Sequence, residues 1–388
     1  MKKTVKSMRL LSLIVLWVVV ASTFTTPSSA SIGNIVKSDL AGSWLIALRG
    51  TTGCGFEDLE ADVTMNNTGV GTAALTTHGQ CGDSVLAGQT FTILTLATNG
   101  KGTASLTCGT GCGWNFDIQV APDRSKFNLV DVSSKNPGNY LEGTAVLSSP
   151  SGNIGISDLT GSWQATLYGT TGCGVGTMVL SFTLNSAGVS TGLNETYHTV
   201  GCGDGSVTTD SFTILSLNPD GRGTANLTCG AGCGWTFDIQ VSPDRSSFNL
   251  VDVYSLNTGN FQAGVAINNS TAAEIVPANL TGSWDVAIYS QGGCGIATIL
   301  VSFTLNATGT TTNATETSHT AGCGNTKSAG NTFTIESLNA NGSGTANLTC
   351  GTDCGFSYSI QVSPDRSTIS LVDVSDPENY QVATAIHE

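Results

Sequence analysis

The chain of 388 residues carries 14 Lys+Arg against 28 Asp+Glu, a formal net charge of -14, with 12 Cys, 48 Gly and only 4 His. So acidic a balance excludes the basic face on which nucleic-acid binding depends. Charged residues at 11%, with aromatics spread along the chain, exclude an intrinsically disordered polyelectrolyte.

Lys2, Lys3, Lys6 and Arg9 precede an apolar run from Leu10 to Ala21, too short for a comfortable membrane span. Ser28-Ser29-Ala30 then supply small residues. Residues 1–30 therefore read as a secretory signal peptide cleaved after Ala30, with export to the periplasm or beyond. The mature chain would hold 10 basic against 28 acidic side chains, and no later segment is long and apolar enough for a membrane-spanning helix. Outside the cytosol, an even number of cysteines at regular spacing implies disulfides before metal or redox chemistry.

The rest of the chain repeats three times. Leu40-Ala41-Gly42-Ser43-Trp44 returns as Leu159-Thr160-Gly161-Ser162-Trp163 and Leu280-Thr281-Gly282-Ser283-Trp284. Residues 101–133 match 222–254 at 26 of 33 positions. A period near 120 residues suits three complete domains, each with its own core. The expected domains are 37–148, 157–268 and 278–388, joined by short polar linkers and touching only modestly.

Within the first repeat, eight runs read as strands: about 43–50, 58–66, 70–78, 90–97, 103–108, 112–120, 126–133 and 140–147. Trp114, Phe116, Ile118 and Val120 alternate with Asn115, Asp117 and Gln119, the period of a strand with one wet face. Gly, Asn, Asp and Pro clusters separate the runs as turns require. Connections this short make antiparallel sheets. If the strands pair in order, all four cysteines of the repeat and His78 fall at one end.

Eight antiparallel strands, a Gly-x-Trp opening and an Asp-containing turn at Pro122-Asp123-Arg124-Ser125 resemble the lipocalin/calycin barrels. The resemblance implies all-β, barrel-like domains open at the cysteine end. It also implies Trp44, Trp163 and Trp284 at the floor, with Arg124, Arg245 and Arg366 near those rings. A β-sandwich is the alternative architecture.

The cysteines fall at 54, 81, 108 and 112, then 173, 202, 229 and 233, then 294, 323, 350 and 354. Cys108 and Cys112 flank a hairpin loop, where facing positions lie within disulfide reach. The expected bonds are Cys54–Cys81 and Cys108–Cys112, with Cys173–Cys202, Cys229–Cys233, Cys294–Cys323 and Cys350–Cys354 as homologues. Four cysteines allow three connectivities, so the crossed pairings stay open. A structural zinc site would present paired close knuckles, and only one close pair exists per repeat, so no metal is expected.

Candidate binding residues are His78, His198 and His319 beside the cysteines, read alternatively as solvated loop residues. Asp131, Asp252 and Asp373 share a face with Phe127, Phe248 and Ile369. They are buried if that face is inward and solvated if Val130 and its equivalents are. Trp114, Trp235 and Phe356 open a strand at the cysteine end, where a ring could stack on a ligand or simply pack in the core. No Gly-x-Ser-x-Gly, His-Glu-x-x-His or phosphate-binding loop is present, so no catalytic residue and no cofactor is expected. The preferred reading is an exported, non-catalytic binding protein whose three domains take a small or extended ligand at the cysteine end. The alternatives are a structural or cell-surface interaction protein and, third, an enzyme.

Overall fold

The computed structural model describes residues 33–388 apart from 110, 132–137, 150–151, 230–233, 256–258, 270–273, 351–354 and 374–377. The signal-peptide reading of 1–30 lies outside the described residues. Each repeat forms one antiparallel sheet in which sequential strands pair, and there is no β-sandwich. The first barrel contains β1 (Gly42–Thr52), β2 (Gly55–Met65), β3 (Val70–Gly79), β4 (Ser84–Leu96), β5 (Lys101–Thr107), β6 (Gly113–Val120), β7 (Lys126–Asp131) and β8 (Tyr140–Leu147). The pairing of β1 with both β2 and β8 closes it.

The second sheet contains β9 (Gly161–Thr171), β10 (Gly174–Leu184), β11 (Ser190–Thr199), β12 (Gly203–Val207), β13 (Ser211–Leu217), β14 (Arg222–Thr228), β15 (Gly234–Val241), β16 (Ser247–Ser255) and β17 (Phe261–Asn268). Here the equivalent of β4 is broken in two, and the ladder runs from β12 around to β13 without closing. The third barrel is closed again: β18 (Gly282–Gly292), β19 (Gly295–Leu305), β20 (Thr310–Thr320), β21 (Gly324–Leu338), β22 (Ser343–Thr349), β23 (Gly355–Val362), β24 (Thr368–Asp373) and β25 (Tyr380–His387).

One strand reading shifts, and one kind of element is added. β4 begins at Ser84 rather than near residue 90, because Ser84–Ala87 extend it along β3 with residues exposed on both faces. Without a buried face there is no alternation to read. A short 3-10 turn also precedes each barrel: Lys37–Leu40, Ile156–Leu159 and Pro277–Leu280. Its last leucine is buried, and the indole Nε1 of Trp44 donates to the Leu40 carbonyl at 2.9 Å, with Trp163 and Trp284 doing the same in their repeats. The turn thereby plugs the end away from the cysteines. Arg124 and Arg245 pair with Asp39 and Asp158 of these turns, at 3.5 and 3.7 Å.

Each barrel has its own apolar interior. A further cluster draws on all three repeats: Phe56 and Tyr140, Tyr168 and Phe261, and Tyr289, Tyr380 and Val382. The Tyr168 and Tyr289 rings lie 4.8 Å apart, centroid to centroid. The expectation of modest interdomain contact is therefore corrected. The reason lies in β1, β8 and their equivalents, which are buried on both faces: seven consecutive residues of β1, Trp44 to Gly50, are buried. One face points into the barrel and the other against a neighbour. Such unbroken buried runs are what a strand covered on both sides looks like.

The contacts run cyclically. Arg49 of the first barrel donates to the Ala263 carbonyl of the second at 2.9 Å. Thr177 of the second donates to the Asp373 carbonyl of the third at 3.1 Å. Thr298 of the third donates to the Asp131 carbonyl of the first at 2.5 Å. On the same route, Asn128 donates to the Asp285 and Thr384 carbonyls, and Asn249 to that of Leu45. The three repeats thus enclose a pseudo-threefold axis.

Candidate functional site

The cysteine ends of the second and third barrels each contain a cavity, of about 560 and 510 Å³ respectively. Both fall within the ~300–1,000 Å³ range of small-molecule sites. Disulfides brace the rims: Cys54–Cys81, Cys108–Cys112, Cys173–Cys202 and Cys294–Cys323 are formed as expected. The expected Cys229–Cys233 and Cys350–Cys354 bonds involve Cys233 and Cys354, which lie outside the described residues.

Three interior positions distinguish the barrels. Three residues before each recurrent His stand Leu75, Glu195 and Glu316. Two residues before Phe91, Phe212 and Phe333 stand Gln89, Asp210 and Asn331. Two after Trp114, Trp235 and Phe356 stand Phe116, Phe237 and Tyr358. The first barrel thus carries Leu75, fully buried, where the other two carry an acid.

In the second barrel Leu193, Glu195 and Tyr197 alternate along β11, and Glu195 and Tyr197 line the cavity together with Met178, Trp235 and Asp210. Glu195 and Asp210 are 6% and 8% exposed. Burial, and then the facing Asp210 carboxyl, push Glu195 up to about 8. Glu195 Oε2 and both Asp210 oxygens receive no hydrogen bond from any other described residue, and the buried Trp235 Nε1 has no acceptor.

In the third barrel the equivalent pair is neutralised differently. Asn331 Nδ2 donates to Glu316 Oε2 at 3.1 Å, and burial raises the Glu316 pKa despite that bond. Ile288, Ile299, Leu348 and Phe356 form the apolar wall, with Ser290, Ser318 and Gln381 as polar points. The Tyr358 hydroxyl donates to Gln381 Oε1.

The other sequence candidates fall elsewhere. His78, His198 and His319 sit on the outer faces of β3, β11 and β20 against aromatics of the next barrel: His78 meets Phe261 edge-on at 4.9 Å, and His198 and His319 stack on Tyr380 and Tyr140 at 4.6 Å. Their Nδ1 atoms bond Asp83, Asp204 and Asn325. They stand at contacts between barrels rather than in solvated loops; none lines either of the two cavities above, and His198 and Asp204 line a separate outer one. Asp131, Asp252 and Asp373 are fully buried, and so are Val130 and Val251 on the opposite face. Both faces are inward because one barrel covers the other, so neither solvated alternative holds. Neither Asp252 nor Asp373 is in the lining of these two cavities. Trp235 and Phe356 line theirs, and Trp114 packs in the first core.

Glu195, Asp210 and Glu316 were missed by sequence reasoning. A signal existed: an acid on the apolar side of an alternating strand in two repeats, opposed by leucine in the first.

No family model matches the chain, and no curated protein matches it. Several solved structures are similar to it at low scores. Isotype 1 transferrin binding protein B from serogroup B Neisseria meningitidis is 9% identical, over 86% of this chain and 66% of that one, with a TM-score of 0.28. CghA is 9% identical over 89% and 87%, at 0.23. Kievitone hydratase from Nectria haematococca is 11% identical over 92% and 94%, at 0.23. Such scores carry no argument about function, and the fold stands on the strand pairing itself.

Proposed function

We propose that this protein is an exported, non-catalytic binding protein whose second and third barrels each take a small ligand at the disulfide-braced end. The observation that carries the reading is the pair of equivalent cavities, each with an apolar wall and a few buried polar groups. The in-order pairing of the strands, closed into barrels in the first and third repeats, with a plugged floor and an opposite mouth, fits the lipocalin/calycin resemblance. Disulfides at every described rim fit export. The three histidines lie outside the barrels, which leaves the cavities without an imidazole for acid–base chemistry. Export itself is tested by sequencing the N-terminus of protein recovered from the host's culture and periplasm.

Binding is tested with N-phenyl-1-naphthylamine, an uncharged fluorescent apolar probe. Saturable enhancement at two equivalents per chain is expected. Met178→Trp and Ile299→Trp, each placing a bulky ring in one cavity, should each remove one equivalent. Enhancement that survives both substitutions together, or no enhancement with the unmodified protein, rejects the reading. The structural or cell-surface alternative draws on the shared core, which joins the three barrels into one compact unit. It becomes the better reading if the probe does not bind.

A further inference from the structure

The cavity of the second barrel differs from that of the third in its wall. β4 and β21 are continuous strands of 13 and 15 residues, whereas the second barrel has β12 and β13 with Thr208, Thr209 and Asp210 between them. β11 pairs with β12 only over Glu195–Thr199, and reaches the β13 side through a single Val189–Thr213 bridge. The wall therefore has a seam. Glu195 stands at the end of the paired part, and Asp210 stands at the start of β13, so the two carboxyls meet where the ladder is missing.

Two buried acids facing one another are costly without a cation. Among the described residues no Lys, Arg or His forms an ion pair with either. Three oxygens of the pair receive no hydrogen bond from any other described residue, although Glu195 and Asp210 are more than nine-tenths buried and both line the cavity; their one partner is each other, through a proton held between them. A primary ammonium offers three N–H donors, enough to bond both carboxylates once the proton between them has left. Trp235 adds a ring face of the kind that attracts cations, and Met178 and Val207 give apolar surface for the rest of the ligand. A calcium ion would need six to eight oxygens, and the described acids that converge in a group of three are Asp123, Asp244 and Asp365, far from this seam in sequence and in another part of each repeat.

We propose that the second barrel binds a primary amine with an apolar body, its ammonium seated between Glu195 and Asp210. This rests on the binding reading above and names the ligand class of one of its two sites. The proton accounting is simple. With Glu195 pushed up to about 8, its carboxyl is mostly protonated at pH 7 in the empty site. The entering ammonium replaces that proton, which leaves to the buffer, so one positive charge goes in and one comes out.

The test uses 1-octylamine and its uncharged near-isostere 1-octanol with the full chain, by titration calorimetry at pH 7 in phosphate and in Tris. Octylamine should bind the second barrel at least tenfold more tightly than octanol. Its heat should differ between the buffers by nearly one proton released per amine, while the octanol heat should not. Glu195→Gln and Asp210→Asn together should bring octylamine to the octanol affinity and abolish the proton release. The release in the unmodified protein needs no variant, so it stands whether or not the substituted chain folds well. Equal affinities with no proton release overturn the amine proposal and leave the binding reading intact. Failure of both compounds to bind overturns both. Tight calcium binding that competes with octylamine also overturns it, making the pair a metal site.

Discussion

At the scale of single residues, the three interfaces solve one problem in two ways. Thr177 and Thr298 face His198 and His319 across the β10–β11 and β19–β20 ladders, and each hydroxyl donates to a carbonyl of the next barrel. In the first repeat the position opposite His78 is Asp58, 1% exposed. Burial, reinforced by Asp252, raises its pKa well above the usual carboxylate range. A protonated Asp58 can donate as the threonines do, whereas an ionised one cannot. Because the folded state holds this proton more tightly than the unfolded chain, stability falls as pH rises above the ordinary carboxylate range. Asp58→Thr should therefore raise the melting temperature at pH 8, by the equivalent of about 1–3 kcal/mol for relieving an unsatisfied buried group. The gain should shrink toward pH 4. Thermal melts across that range check it, and a gain that does not vary with pH contradicts the assignment.

Arg49 is the other departure from the repeat. It pairs with Glu142 at 2.7 Å, both fully enclosed, where the second repeat has Tyr168 and Ala263 and the third has Tyr289 and Val382. Burial still lifts Glu142 to about 7 against the pull of Arg49. A lone arginine in an apolar strand was visible in the sequence. Its partner was not, because the two strands lie at opposite ends of the repeat.

At the scale of elements, the turns and disulfides were the most legible features. Alternation is plain in strands such as β3 and β6, which have a buried face and a wetter one, whereas β1, β7 and β8 are buried on both faces and were delimited by the turns between them. The projecting part of β4 was missed because both of its faces are exposed. Cysteine pairing followed from loop placement: Cys54 and Cys81 sit in adjacent loops with Cα atoms 5.4 Å apart, 27 residues apart in sequence. In the chain-entropy account such a loop is worth about 3.5 kcal/mol, and the 4-residue separation of Cys108 and Cys112 about 2 kcal/mol. Replacing Cys54 and Cys81 by serine should accordingly lower the denaturation free energy more than replacing Cys108 and Cys112. Urea titrations of the two variants make the comparison, and the reverse order would show that local strain or rim packing outweighs loop closure.

At the scale of the whole molecule, the shared aromatic cluster joins the three barrels into one folding unit. Phe56 lies 5.8 Å from Tyr168 and 6.1 Å from Tyr289, so each barrel's outer face is completed by the others. Differential scanning calorimetry of the full chain should show a single cooperative transition, with calorimetric and van't Hoff enthalpies in agreement. Residues 157–268 expressed alone should expose Tyr168 and Phe261 and should aggregate or melt well below the full chain. Three resolved transitions would mean that the barrels are energetically independent.

The division between sequence and structure follows the range of the forces involved. Strand periods, turn glycines, the repeat and the near-neighbour disulfides are local: each depends on residues close together in the chain, so the amino-acid order alone determined them. Which side of a strand meets water was not local. His78, His198 and His319 face a neighbouring barrel, and Asp131, Asp252 and Asp373 are buried beside equally buried valines, because the outer wall of one repeat is covered by another. Glu195 and Asp210 became a pair only when the broken fourth strand brought residues on two strands together across a gap in the wall. Cyclic packing of the three barrels, through side chains that read as solvent-facing within any one repeat, was decided by the tertiary structure alone.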